Sequence, residues 1–341
     1  MKKMAMLVTS IASSCCAHVV QAESTLRIYG VVDNGIEYQN AGSGSTVHAV
    51  SGGLFATVWG LQGSEDMGEG LHANFQLEQG FSSENGKAMN SSAAFNRLAW
   101  VGMSGSWGEF RLGRQKKPEY QLLNGVMDPL AAKSLASPMN NFNSAAVRSN
   151  NAIAYFTPKY RGLQGQTMMG LRDETTKPQS GVQFYNVALR YDYGPLKLGL
   201  GYEQQDNADD SSRQRIFRVG GSYRVGDASL YLSYQSQRQS DNSENTDIYG
   251  ASAAYEFSVA DELAIMYGYA RDKTGNGNNA QQLGAAYLHS LSKRIILYAA
   301  AGVMDNHNEA QYNLSGTENS GVPVDPGALA RGVIVGMTYK F

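Results

Sequence analysis

The residues best equipped for chemistry in this 341-residue chain are charges gathered in one middle stretch. Arg97, Arg111, Arg114, Lys116, Lys117 and Arg148 supply cations, and Glu119 and Asp128 are the only acids between Lys116 and Ser149. Cations opposed to acids across water create a transverse field, which orders dipolar solutes and selects ions by charge. Arg97 and Arg111 fall on the polar parity of alternating segments. Arg114 shares its parity with Phe110 and Leu112, so only a bulge or a strand end would turn it the same way. Weighed against Glu78, Glu109, Glu119 and Asp128, the cations predict a weak preference for anions.

Other chemistry has little to work with. His48, His72, His289 and His307 are dispersed without a nucleophile motif, and His72 reads as a polar residue facing water. Cys15 and Cys16 both lie near the N-terminus, so no Cys/His metal cluster or disulfide framework is available downstream. No glycine-rich segment joins a strand to a helix to hold phosphate. Catalytic, cofactor and metal sites are therefore not expected, and the charge balance lacks the basic excess of a nucleic-acid binder. An adhesin acting through surface segments is a second reading that the sequence allows.

What must position the charges is a succession of strands. Apolar residues are 42% of the chain, charged residues 17%, and 38 Gly and 20 Tyr stand against 8 Pro. From Leu26 to Phe341 the pattern alternates with period two over segments of about ten residues, the length a tilted strand needs to cross a bilayer. Leu71, Ala73, Phe75, Leu77 and Phe81 share one face, and His72, Asn74, Gln76 and Glu78 the other. Leu196, Leu198, Leu200 and Tyr202 oppose Lys197 and Glu203 in the same way, and Phe217, Val219, Tyr223 and Val225 oppose Arg218, Ser222 and Arg224. Polar residues on the inner face mark a water-filled barrel rather than a sandwich with an apolar centre. The tyrosines, with Trp59, Trp100 and Trp107, fit aromatic girdles at the two membrane interfaces.

Connections alternate in length. Seven are short, and eight are long, near 39 to 52, 83 to 94, 116 to 149, 173 to 182, 206 to 213, 239 to 245, 272 to 279 and 305 to 328. Fifteen connections join sixteen antiparallel strands, which places both chain ends on the periplasmic side and lets the first strand pair with the last. The stretch from Lys116 to Ser149 is 34 residues long, beyond an ordinary connection. Its apolar residues, Leu122, Leu123 and Val126 to Leu130, favour docking over disorder.

Residues 1–22 read as a secretory signal, with Lys2 and Lys3 ahead of a moderately apolar run and Val20-Gln21-Ala22 at the cleavage position. The exported chain would be a single domain over residues 23–341. It would carry no cysteine, and its 26 basic and 30 acidic residues give a formal charge of −4.

Several segments resemble the general porins of Gram-negative bacteria, of the betaproteobacterial and neisserial type. They are Leu26 to Asp33 (LRIYGVVD), Trp59 to Asp66 (WGLQGSED), Phe75 to Phe81 (FQLEQGF), Phe95-Asn96-Arg97, Trp100 to Gly105, Leu112 to Gln115, Arg148 to Tyr155, and the terminal Tyr339-Lys340-Phe341. The resemblance covers nearly the whole exported chain. It implies an all-β transmembrane antiparallel barrel in the outer membrane, a homotrimer, and passive diffusion of small hydrophilic solutes and ions. It also implies a third extracellular loop folded into the lumen, which would set Glu119 and Asp128 against the wall cations. Outer-membrane lipid and lipopolysaccharide would surround it. Val333, Val335, Met337, Tyr339 and Phe341 form one outward row, and its aromatic end resembles the address read by the barrel-assembly machinery, with Tyr339 and Phe341 as its residues.

Overall fold

The computed structural model describes residues 24–42, 44–172, 181–207 and 210–341. The segment read as a secretory signal, ending at Ala22, and most of the connection near 173 to 182 lie outside these residues.

Strand β1 (Thr25–Asn40) closes the sheet. It pairs on one side with the last strand, β17 (Leu329–Lys340), from Val31 opposite Lys340 to Asn40 opposite Arg331. On its other side it pairs with β2 (Ser45–Ser51) through its second half and with β3 (Val58–Asp66) through its first half. β2 and β3 are thus two pieces of one wall strand, and the seventeen segments form a closed antiparallel barrel of sixteen strands. The stretch read as a long connection near 39 to 52 is mostly strand. Between the two strands Gly42 and Gly44 both take positive φ, where glycine meets no steric penalty. The irregularity comes later, where residues 52–57 leave the wall opposite only Val32 and Asp33 of β1.

The predicted parity holds on the outside. Leu198, Leu200 and Tyr202 of β10 (Leu196–Asp206), Phe217, Val219 and Tyr223 of β11 (Arg213–Val225), and Val333, Val335, Met337 and Tyr339 of β17 are all exposed. Their strand neighbours Glu203, Arg218 and Thr338 are buried inward. Trp59 and Trp107 stand on the outer surface, but Trp100 is 8% exposed and faces inward beneath a guanidinium, so it is not a girdle residue.

The inner wall is not polar throughout. On β14 (Asp261–Asp272), β15 (Ala280–Ser290), β16 (Ile295–Asn306) and β17, the inward residues include Ala264, Met266, Ala270, Ala286, Ala300, Met304 and Ile334, which form an apolar cluster. The cause is what lies on that wall. Leu130, Leu135, Ala136 and Phe142 of the connection between β6 (Gly108–Lys116) and β7 (Arg148–Phe156), and Leu314 and Val324 of the last connection, join the same cluster. Inward glycines let the loop backbone approach: a Cβ at Gly284 would stand 1.9 Å from the Ala136 carbonyl oxygen, and one at Gly302 would stand 2.9 Å from that of Leu135.

Two helices shape the long connection. α1 (Pro118–Met127) starts with Pro118 in its first turn and Glu119 beside the positive end of the helix dipole. It ends at Asp128, which is extended, as a residue before proline prefers. α2 (Pro138–Asn141) is capped by Ser137, whose hydroxyl accepts from the Asn140 N–H at 3.2 Å. α1 packs against the inward side of β9 (Val182–Tyr193), β10 and β11, with Leu123 over Gly199 and Gly201 and Met127 near Gly220. The connection therefore leaves the wall at β6, lies against the inner faces of β9 to β16, and returns at β7.

Candidate pore constriction

The connection departs from and returns to a pair of cations. Lys116 ends β6 directly opposite Arg148, which opens β7. Beside them stands Arg97, just before β5 (Leu98–Gly105), aimed by the ladder through its N–H to the Glu78 carbonyl at 3.1 Å. The Arg97 Nε donates to Glu78 Oε1 at 2.7 Å, and its Nη1 forms an ion pair with Glu318 of the last connection. Arg148 Nη2 lies 3.7 Å from the same Glu318 Oε1. Glu78 is held in turn by the Tyr29 hydroxyl at 3.0 Å. Arg97 and Arg148 thus pair with two carboxylates, Glu78 and Glu318, while Lys116 in the field of Glu78 and Arg114 beside Arg97 and Arg148 leave the group with a cationic excess. From α1, Tyr120 enters the field of this group: burial pushes its hydroxyl up, while Arg148, Arg97 and Arg218 pull it down.

Lys117 and Glu119 take another place. The Lys117 ammonium donates to Glu203 Oε1 at 2.6 Å and to Gln205 Oε1 at 2.9 Å, fully buried. The Asn186 amide joins Glu203, at 2.8 Å, to Glu119. Burial, with the Glu203 carboxylate adjoining, pushes the Glu119 carboxyl well above its ordinary range. These groups pin the start of α1 to β9 and β10. They face one another, and not open water.

Asp128 is a folding device for the loop. It accepts from the Leu130 N–H at 2.8 Å, the Ala132 N–H at 3.2 Å and the Ser137 hydroxyl at 2.7 Å. Burial outweighs those bonds and raises its carboxyl to about 6. Arg111 stands apart, nearer the barrel end that holds the termini, bonded to Glu109 at 2.7 Å and stacked 4.0 Å over Trp100 and 4.3 Å over Phe156. With Arg27, Gln62, Asn74 and Gln76 it lines a recess of about 440 Å³. The bulge that Arg114 would need does occur, between Gly113 and Gln115, yet Arg114 still pairs opposite Ala99. Its guanidinium donates to the Asn96 carbonyl at 2.7 Å and to Asn150 at 2.6 Å.

Of the eight residues singled out, Arg97, Lys116 and Arg148 come together with Arg114 flanking them, Lys117 and Glu119 form a second group, and Asp128 and Arg111 are each elsewhere. Sequence reasoning overlooked Glu318, because the last connection reads as a solvated Asn, Ser and Gly segment. In the fold that connection turns inward: the Glu318 N–H donates to the Gly52 carbonyl at 3.1 Å, and Asn140 donates to the Ser315 carbonyl at 2.8 Å. At the other end of the barrel, the Phe341 ring covers Gly30, where a Cβ would lie 2.3 Å from it, and the two residues exchange backbone hydrogen bonds of 3.1 and 3.0 Å.

A family profile described as Gram-negative porin matches residues 5–309. Outer membrane porin protein 32 of Delftia acidovorans is 30% identical over the full length of both chains. An outer membrane porin of Bordetella pertussis is 32% identical over 60% of this chain and 62% of its own. Among solved structures, an anion-selective porin from Comamonas acidovorans superposes with a TM-score of 0.79 at 28% identity, covering 94% of this chain and 100% of that one. OmpT of Vibrio cholerae in its trimer form shares the fold at a TM-score of 0.67 and 14% identity, over 93% of this chain and 99% of that one. The chain belongs to the Gram-negative porin family, whose members are channels and not enzymes, and it forms an outer-membrane barrel for passive diffusion of small hydrophilic solutes and ions.

Proposed function

We propose that the connection between β6 and β7 narrows this pore and that Arg97, Lys116 and Arg148 give it a weak preference for anions. The observation that carries the reading is the cationic excess at the roots of the loop, where, among the described residues, Arg97 and Arg148 pair with Glu78 and Glu318 and Lys116 stands in the field of Glu78 with no ion pair of its own. An unbalanced positive charge beside a confined water path raises the local anion concentration. The anion-selective character of the Comamonas relative agrees with this sign. Lys117, Glu119 and Asp128 serve the constriction by holding the loop on the wall, and Arg111 acts on solutes nearer the periplasmic mouth.

The working unit is a homotrimer in lipid and lipopolysaccharide, delivered with a signal cleaved near Ala22 and seated by the barrel-assembly machinery through Tyr339 and Phe341. The exposed outward row that ends on Phe341 supports that address. Planar-bilayer reversal potentials in a potassium chloride gradient test the selectivity. Arg97→Ala is expected to lower the chloride-to-potassium permeability ratio several-fold, and Arg111→Ala to change it less. A wild-type pore that prefers potassium removes the proposal.

A further inference from the structure

Below the docked loop, toward the periplasmic end, lies a recess with a different composition. Its volume is about 490 Å³, within the range of small-ligand pockets. Leu54, Leu130, Leu288 and Ile296 give it apolar walls, and Phe55 forms one side. The detour of residues 52–57 builds that side, because Asp33 of β1 accepts the Leu54 and Phe55 N–H groups at 3.3 and 3.1 Å and so turns this segment into the barrel.

Two ammonium groups stand over the Phe55 ring, Lys133 Nζ at 4.3 Å from its centre and Lys340 Nζ at 4.1 Å. Cation–π contact explains why lysines gather on a phenyl face, but it does not neutralise them. Among the described residues neither lysine has a carboxylate within ion-pair distance. The acids of the recess are largely engaged elsewhere: Glu256 by Arg224 at 2.7 and 2.8 Å, and Asp261 by Ser258, Tyr287 and His289 at 2.6 to 2.7 Å. Asp261 keeps its charge in these bonds and Glu262 remains, so two carboxylates match the two ammoniums in number, but neither acid lies within ion-pair distance of Lys133 or of Lys340, which stands at the Phe55 face just outside the lining. Burial and the neighbouring Lys116 and Lys340 ammoniums push Lys133 down to about 8, against the pull of Asp128. A bound anion would relieve that repulsion.

We propose that this recess is a transit subsite for small amphiphilic carboxylates, with Lys133 and Lys340 taking the carboxylate and Phe55 with the aliphatic walls taking the apolar part. The pairing of unneutralised ammoniums with an aromatic and aliphatic lining distinguishes it from the arginine-rich constriction, which has no such apolar surface. An inorganic anion would use the charges and leave the walls wet. A monocarboxylate carrying one ring uses both, and it fits the volume. The subsite rests on the anion-preferring channel proposed above and names the solute class for which that channel is suited.

The test is multichannel bilayer conductance in fixed potassium chloride, with sodium benzoate, sodium acetate or benzylammonium chloride titrated on both sides of purified full-length protein. Benzoate is expected to reduce chloride conductance saturably, with acetate at least tenfold weaker and benzylammonium without effect. Lys133→Gln, in the loop and outside the barrel ladder, is expected to raise the half-blocking benzoate concentration about tenfold, and Phe55→Leu several-fold. Heat-modifiable electrophoretic mobility shows that each variant is folded. Equal block by acetate and benzoate, or unchanged benzoate block in Lys133→Gln, overturns the subsite. If the wild type keeps its chloride preference but benzoate does not block, the subsite fails and the channel reading stands; loss of chloride preference in the wild type sinks the channel reading itself.

Discussion

Glu318→Gln is the most informative single change. The substitution keeps the side-chain shape and the backbone bond to Gly52 but removes one of two carboxylates from a group that also contains Arg97, Lys116 and Arg148. The local excess rises by one positive charge. For an ion passing about 6 Å away through water, one unit charge contributes about 0.7 kcal/mol, roughly a factor of three in occupancy. Anions gain this factor and cations lose it, so the chloride-to-potassium permeability ratio shifts up to about tenfold at low salt and by about threefold once screening sets in at 0.1 M. Reversal potentials measured in potassium chloride gradients at both salt levels read this directly. An unchanged ratio, or a shift toward potassium, refutes the electrostatic account of the constriction. A rise in conductance at constant ratio would mean that Glu318 acts as a strap holding the last connection inward, and would refute it equally.

Three further outcomes follow from the contacts that hold the loop and the seam. Lys117→Met leaves Glu203 buried without its cation beside Glu119, which should cost about 3 to 5 kcal/mol, and adding Glu203→Gln should restore most of it; thermal unfolding and protease cleavage within α1 report both. Asp128 has a folded pKa of about 6 against an ordinary 3.8, so the fold favours its protonated form. Its contribution is full below about pH 4 and is lost as pH rises through 6, by about 3 kcal/mol. The wild-type midpoint should therefore fall between pH 4 and 7 by more than that of Asp128→Asn, and parallel curves would contradict the assignment. Deleting Phe341, or placing Val at Gly30 where the ring rests, should lower heat-modifiable outer-membrane protein several-fold in cells; normal levels in both variants would remove the assembly role.

The barrel is legible because a strand in a membrane barrel declares its two faces residue by residue. Leu198, Leu200 and Tyr202 against Glu203, and Val333, Val335 and Met337 against Thr338, are assignments that parity alone makes correctly. Parity also separates Arg97 from Arg114. It does not separate an inward residue that faces water from one that faces another segment. The inner wall around Ala264, Met266 and Ile334 looks like a weak strand face in sequence, yet it is the dock for Leu135, Phe142 and Leu314. The inward glycines Gly268, Gly284 and Gly302 were the available signal, since each leaves room for a backbone or ring that arrives from far along the chain. The partners of the candidate charges were hidden for the same reason. Glu203 lies 86 positions from Lys117, and Glu318 belongs to a connection whose composition reads as solvated.

The detour at residues 52–57 also bears on how the cylinder is sealed. One carboxylate, that of Asp33, receives the Leu54 and Phe55 amides, the Tyr298 hydroxyl of β16 and the Thr338 hydroxyl of β17. These donors come from the second, fifteenth and sixteenth strands of the wall, counting β2 and β3 as one. A slip of one residue at the closing seam would turn Thr338 to the outside and strip the fully buried Asp33 of a donor. Asp33 therefore works as a register key: its full set of bonds exists only when the last strand is in register and residues 52–57 take their bent path, so a mispaired seam is less stable than the native one.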